Sequence, residues 1–396
     1  MINNKIYLLG RDLMKWTTMW ANAQSIIMPQ AQRYAKDLTL RYPIYIPFNG
    51  NKIKLTLDNF CIDENVKIDS VVISLGNNLC DIQNKEYKYV TFNGNKSVEI
   101  NKHDYVISDE IDINLFENKF LIVSIYLKDY TNLEGGVYVC GKLSKGYFAY
   151  GNQTLNEKLD INTSLETNWV YFLSNIDIYT QDDNFCVACY GDSITAQDWP
   201  DYMQLELKKQ NINNIAVIRK AVSGTRILRE YNCIKYQSYG LNGYHRFMHE
   251  IKSINNLKYV IVQQGINDII HPVGKDINIF RPLEELPSSN ELFEGIKYYK
   301  ECSDKLNLNF IVGTLLPIYN WRTYNNEKEI IKNEFNELLI NNYDCIDFNK
   351  ELGIYDSGVW KFKESLDSGD HLHPSKKAYE LMGILAANYI IYKEQK

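Results

Sequence analysis

FCVACYGDSITAQDWPDYMQLELKKQ, residues 185–210, decides the fold of this chain. FCVACY (185–190) is a continuous apolar run, the pattern of a strand buried on both faces. A turn follows at Gly191, and 199–210 reads as a helix. The same alternation continues outward from this unit. IAVIRKAV (215–222), KYVIVQQ (258–264), NFIVGTLL (309–316) and DCIDF (344–348) read as further strands, with helices around 289–305 and 326–340. A last helix starts after Pro374 with Ser375 as its cap, and Ala378, Leu381, Met382, Leu385 and Tyr389 recur on one helical face. Five buried strands alternating with helices predict a parallel sheet covered on both sides, an α/β domain.

Ahead of this unit the pattern is different. LRYPIYIPF (40–48), KIKLTL (52–57), VKIDSVVISL (66–75), YKYVTF (87–92), KFLIVSIYL (119–127), GVYVCGKL (136–143) and WVYFLSNIDIYT (169–180) mix β-branched and aromatic residues, with turn residues such as NGN (49–51 and 93–95) between them. Seven or more short strands at this spacing predict an antiparallel sandwich. The polar stretch TQDDN (180–184) marks the expected boundary, giving a β-sandwich over 1–183 and an α/β domain over 184–396.

Composition limits what such a chain does. Its 396 residues carry 43 basic and 49 acidic side chains, a net charge of −6, and there is no long Lys/Arg stripe. Nucleic acid is therefore not the expected partner. The apolar runs fall short of the roughly 18 residues a transmembrane helix needs, so no membrane partner is expected either. MINNKIYLLGRDLMKW (1–16) shows neither a long apolar core nor a small-residue cleavage site, and a cytoplasmic location is expected. The eight cysteines are scattered and imply no disulfide framework. Cys186 and Cys189, three apart on a strand, point to opposite faces and share neither a metal nor a disulfide.

In open α/β sheets ligands sit beyond the C-terminal ends of the strands. Four segments meet at that rim: Gly191-Asp192-Ser193-Ile194-Thr195, Ser223-Gly224-Thr225, Gly265-Ile266-Asn267-Asp268 and Asp370-His371-Leu372-His373-Pro374. Their side chains fit acyl transfer. A serine hydroxyl needs a base to take its proton, and an imidazole does so near neutral pH. A carboxylate then fixes the tautomer of that imidazole. His373 and Asp370 supply both roles from one loop. The N–H groups of Ser193 and Gly224 and the amide of Asn267 are suitable donors to an oxyanion. Taken singly, each segment also reads as a turn or a helix cap; together and in order they form a site.

GDSIT, SGT, GIND and DHLHP, in that order, resemble the four signature blocks of the SGNH hydrolases, also called the GDSL esterase/lipase superfamily. The resemblance covers about 185–392. It implies Ser193 as nucleophile, Gly224 and Asn267 beside Ser193 in the oxyanion hole, and His373 with Asp370 as base and orienter. It also implies a flavodoxin-like three-layer α/β/α fold with no metal or organic cofactor. KWTTMW (15–20), TLRYPIYI (39–46), GNKIKLTLDNF (50–60) and VKIDSVVIS (66–74) are similar to the jelly-roll-like sandwich that precedes the hydrolase domain in acetylxylan-esterase-like members. That similarity implies a short acyl ester, acetyl above all, on a sugar or oligosaccharide.

Asp192, Trp199 and Trp321 are expected at the substrate, with Tyr319, Tyr324 and Trp360 in loops that flank the same rim. The segment 269–288, with three prolines, is an expected substrate wall or lid, and His271 within it an expected surface residue. His245 and His249 have the helical spacing of metal ligands, but no third ligand is apparent and no metal is assigned. Two rival functions remain. A lysophospholipase or thioesterase predicts long acyl chains and an apolar groove. A non-catalytic carbohydrate-binding protein predicts saccharide binding without ester turnover. The oligomeric state is not legible.

Overall fold

The computed structural model describes residues 13–27, 34–160, 162 and 164–396. Residues 1–12, which carry most of the stretch read for a leader, lie outside the described residues. The front half is built from mostly antiparallel sheets that pack as a β-sandwich. One sheet runs Met14–Ala21, Leu173–Gln181, Gly50–Asp58, Ile111–Leu115 in space, with Tyr105–Ile107 also paired to Gly50–Asp58. The other runs Ser164–Thr167, Gly146–Tyr150, Leu38–Tyr45, Phe120–Leu127, Ser70–Gly76, Ile82–Val90. Alternate residues of the two sheets, Ile53, Leu55 and Leu57 against Leu121, Val123 and Ile125, are buried in one core.

Two stretches read as single strands are each two. VKIDSVVISL divides at Asp69, and its first part, Val66–Ile68, pairs with Val98–Ile100. WVYFLSNIDIYT divides at Phe172, which adopts a left-handed φ of 62°. That one residue turns the chain from the ribbon Trp169–Tyr171 with Gly136–Tyr138 into the long strand Leu173–Gln181 of the first sheet.

All five expected strands of the back half form one parallel sheet, in the order Ile215–Ala221, Phe185–Gly191, Leu257–Gln263, Asn309–Gly313, Asp344–Ile346. Numbered along the chain this is 2-1-3-4-5, the flavodoxin-like order. Register matters most here, since Gly191 lies level with both Ala221 and Gln263. The first three strands therefore end together, and the loops that follow them share one rim. Helices Trp199–Lys209 and Lys376–Glu394 pack on each other, while Gly243–Lys252, Ser289–Lys305 and Asn326–Asn342 form a second group.

The last helix is capped as expected, Ser375 Oγ accepting from Ala378 N at 3.3 Å. Its buried face is rotated from the expected stripe: Ala378, Tyr379, Met382, Ala386, Ala387 and Ile390 are buried, but Leu381, Leu385 and Tyr389 only partly. Small residues cause the rotation. A Cβ at Gly383 would lie 2.5 Å from Tyr202 Cβ and 2.7 Å from Met203 N, so the two helix backbones nearly touch there.

Candidate active site

The turn after Phe185–Gly191 exposes one side chain and buries its neighbours. A Cβ at Gly191 would meet Gln263 O and Thr195 Oγ1, both at 2.4 Å, so only glycine fits between the strand ends. Asp192 caps the short helix Ser193–Ala196, its Oδ1 accepting from Ile194 N at 3.0 Å. This directs Ser193, partly exposed, toward the loop before the last helix.

That loop brings the imidazole. Ser193 Oγ lies 3.0 Å from His373 Nε2, across 180 residues of sequence. The other ring nitrogen, Nδ1, lies 2.7 Å from Asp370 Oδ2. Asp370 Oδ1 also accepts from the backbone N–H groups of His373 at 2.8 Å and Leu372 at 3.0 Å, and from Ser368 Oγ at 3.0 Å. Burial alone would raise this carboxyl. The bonds from the His373 ring and from the two backbone donors outweigh it and hold the pKa at about 2. A carboxylate that stays ionised against Nδ1 favours the tautomer with Nε2 free to accept a proton.

The donors for an oxyanion come from the two neighbouring strand ends. Gly224 has φ +81°, and a Cβ there would lie 2.1 Å from the Tyr239 ring, so both conformation and space demand glycine. Its N–H, like that of Ser193, meets no acceptor among the described residues. Asn267 is buried and donates through Nδ2 to Thr225 O at 3.1 Å, which fixes its amide beside the Gly224 loop. That loop is held in turn by Asp268, which accepts from Ile227 N at 2.8 Å and Leu228 N at 3.0 Å.

A family model for the GDSL-like lipases/acylhydrolases matches residues 150–385, more than half the chain. The chain belongs to the GDSL-like lipase/acylhydrolase family. Among solved structures it is similar to a carbohydrate acetylesterase from Sinorhizobium meliloti, at 15% identity and TM-score 0.38, over 52% of this chain and 99% of that one. It is also similar to an acetyl xylan esterase at 18% identity and TM-score 0.38, over 53% and 99%. A GDSL-like lipase from Bacteroides thetaiotaomicron aligns at 16% identity and TM-score 0.38, over 52% and 88%. No curated relative matches the chain.

Of the other residues expected at the site of this GDSL-like chain, several are placed elsewhere. Asp192 is wholly buried; one carboxylate oxygen caps the helix and the other has no partner, so it presents nothing to a substrate. Trp199 is 0% exposed, its ring 6.0 Å from Phe348, and belongs to the core under the helix it begins. Trp321 is partly buried under the Arg322 guanidinium, 4.6 Å from the ring centroid, and makes no hydrogen bond or ring contact with Ser193 or His373. Tyr319 packs edge-on to Tyr324, and Trp360 against Tyr355 on the hairpin Gly353–Asp356/Val359–Phe362. His271 is not a surface residue: it is buried, stacked on Tyr239 at 5.1 Å.

What the sequence did not disclose is the wall over Gly224. Tyr239 covers that glycine and joins Tyr231 and Tyr236 in a ring cluster, with Arg281 over Tyr236 at 4.4 Å. The sandwich reaches the same region. Cys140 N donates to Ala196 O at 3.0 Å, and Ser25 Oγ to Ser238 O at 3.3 Å. Only the density of tyrosines at 231–239 hinted at this wall.

Proposed function

We propose that this protein is a serine esterase that removes short acyl groups, acetyl foremost, from carbohydrate hydroxyls. The observation that carries the reading is the unbroken relay from Ser193 Oγ to His373 Nε2 at 3.0 Å and from His373 Nδ1 to Asp370 at 2.7 Å. Ser193 Oγ attacks the ester carbonyl carbon as its proton passes to Nε2. The carbonyl oxygen becomes an oxyanion facing the N–H groups of Ser193 and Gly224 and the Asn267 amide. When the tetrahedral species collapses, the C–O bond to the sugar breaks and Nε2 returns the proton to the leaving hydroxyl. Water, deprotonated by the same nitrogen, then releases the acid and restores Ser193.

The short acyl limit is supported by Tyr239, which closes the space over Gly224. The sugar alcohol rests on the likeness of the sandwich strands to acetylxylan-esterase-like proteins. Hydrolysis of p-nitrophenyl acetate, butyrate and octanoate by wild type and Ser193→Ala tests the acyl length and the serine mechanism. The expected result is turnover that falls from acetate to octanoate, with kcat lowered about 10⁴-fold or more by the substitution. A rise toward octanoate overturns the short-acyl reading, and turnover that survives Ser193→Ala overturns the serine mechanism.

A further inference from the structure

A cavity of about 740 Å³ lies at the seam between the sandwich and the α/β half, and none of Ser193, Gly224, Asn267, Asp370 and His373 lines it. Its size falls within the range of small-molecule sites, roughly 300–1,000 Å³. Two opposite charges face it without pairing. Lys220, 3% exposed near the end of strand Ile215–Ala221, donates to Asn22 O at 2.8 Å and Asn175 Oδ1 at 2.9 Å. Its third N–H has no acceptor among the described residues. Asp58, at the end of strand Gly50–Asp58, accepts from Phe60 N at 2.7 Å through Oδ1. Its Oδ2 meets no donor among the described residues.

The other buried charges of the cavity already have partners. Arg246 and Glu250 hold each other through two bonds of 3.0 Å, and Asp177 accepts from Thr18 Oγ1 at 2.5 Å. Burial pushes the Lys220 ammonium down to about 8 and raises the half-buried Asp58 carboxyl to about 6. One wall is a flat stack, Phe60 on His249 with centroids 4.2 Å apart and planes 22° from parallel. Tyr231 also lines the cavity, and its hydroxyl is buried without a partner among the described residues.

A group that bridges such a pair must accept from an ammonium and donate to a carboxylate, and a hydroxyl does both. An anion would satisfy Lys220 but meet Asp58, Asp63 and Glu230; an amine would satisfy the acids but meet Lys220 and Arg246. Several hydroxyls on a ring with one apolar face satisfy the whole lining, the face resting on the Phe60–His249 stack. We propose that the seam cavity binds a neutral saccharide, with Lys220 and Asp58 dividing its hydroxyls, as a site separate from the esterase centre. The site stands whether or not Ser193 is a nucleophile.

Titration calorimetry with cellobiose, xylobiose, maltose and inorganic phosphate tests it, using wild type and Ser193→Ala. At least one of the disaccharides is expected to bind both proteins equally, with Kd of about 1 mM or tighter. Asp58→Asn and Phe60→Ala are each expected to weaken that binding about tenfold or more, through loss of a charge-assisted acceptor and of the stacking face. Both variants keep p-nitrophenyl acetate turnover and the wild-type far-ultraviolet circular dichroism, which separates lost binding from lost fold. Phe60→Ala, on the wall and not at the buried charges, keeps the test open if Asp58→Asn does not fold. The proposal is overturned if no disaccharide binds, if binding ignores both substitutions, or if phosphate is the tighter ligand.

Discussion

Asp370 and Asp192 are two carboxylates near one serine, pushed in opposite directions by their surroundings. Asp370 gathers donors from His373, Leu372 and Ser368 and stays ionised down to about pH 2. Protonation of Asp370 therefore does not set the acid limb of kcat/KM. Asp370→Asn is expected to lower kcat about 10²–10⁴-fold in p-nitrophenyl acetate assays while KM changes little, because the amide fixes the wrong tautomer. A loss under about tenfold would show that the backbone bonds, not the charge, orient His373. Asp192 is the reverse case, with burial pushing its carboxyl up to about 7. The unfolded carboxyl ionises near about 4, so the native state binds the extra proton between those values and loses stability as pH rises from about 4 to about 7. Asp192→Asn keeps a cap acceptor and removes the charge. Its urea midpoint is expected to match wild type near pH 4 and exceed it at pH 8, with KM unchanged because neither oxygen reaches the substrate. A midpoint below wild type at pH 8 would reject this account.

Helix contact is where the next constraint lies. Gly383 lets the last helix meet Trp199–Lys209, the helix that follows the Ser193 turn, at backbone distance. Gly383→Val should force the pair apart and cost about 1–3 kcal/mol, read as a lower urea midpoint at unchanged cooperativity. An unchanged midpoint would mean that the helices separate freely. The same elements show what the sequence discloses. Strands Phe185–Gly191, Leu257–Gln263 and Asn309–Gly313 are legible because burial on both faces leaves their inner runs apolar, and the segments 191–195, 223–225, 265–268 and 370–374 because they carry hydroxyl, amide, carboxylate and imidazole side chains in order. Helix Gly243–Lys252 escapes notice because the ion-paired Arg246 and Glu250 share its inner face with Phe247 and Ile251 and interrupt the apolar period. The edge strand Ser164–Thr167 has no buried residue to mark a face, and its neighbour Gly146–Tyr150 buries only Gly146 and Ala149, which are too small to mark an apolar period. Trp199 lies in the core and not at the expected substrate position for a related reason: a tryptophan after such a turn looks the same in sequence whether its ring faces ligand or core.

At the scale of the molecule, the sandwich and the parallel sheet are joined by buried polar contacts that neither half satisfies alone. Lys220 is bonded to Asn22 and Asn175, Thr18 N to Asn255 O at 3.0 Å, and Ser144 Oγ accepts from Arg219 at 3.0 Å and donates to Asp201 at 3.1 Å. Separating the halves would leave Lys220 and Thr18 without these partners in the α/β half or the sandwich, a cost of the order of 1–3 kcal/mol for each buried group. The seam also reaches the proposed esterase site, since Cys140 holds the helix that starts at Ser193 and Ser25 holds the loop that carries Tyr239 over Gly224. The two halves are therefore expected to unfold together, and activity to disappear with them. In urea, tryptophan fluorescence, far-ultraviolet circular dichroism and p-nitrophenyl acetate turnover should share one midpoint. Residues 184–396 expressed alone should show less than about a tenth of the wild-type kcat/KM, because the N–H donors around Ser193 lose the contacts that place them. Two separated transitions, or near-full activity from residues 184–396, would mean that the sandwich is an attached module and that the catalytic rim is complete without it.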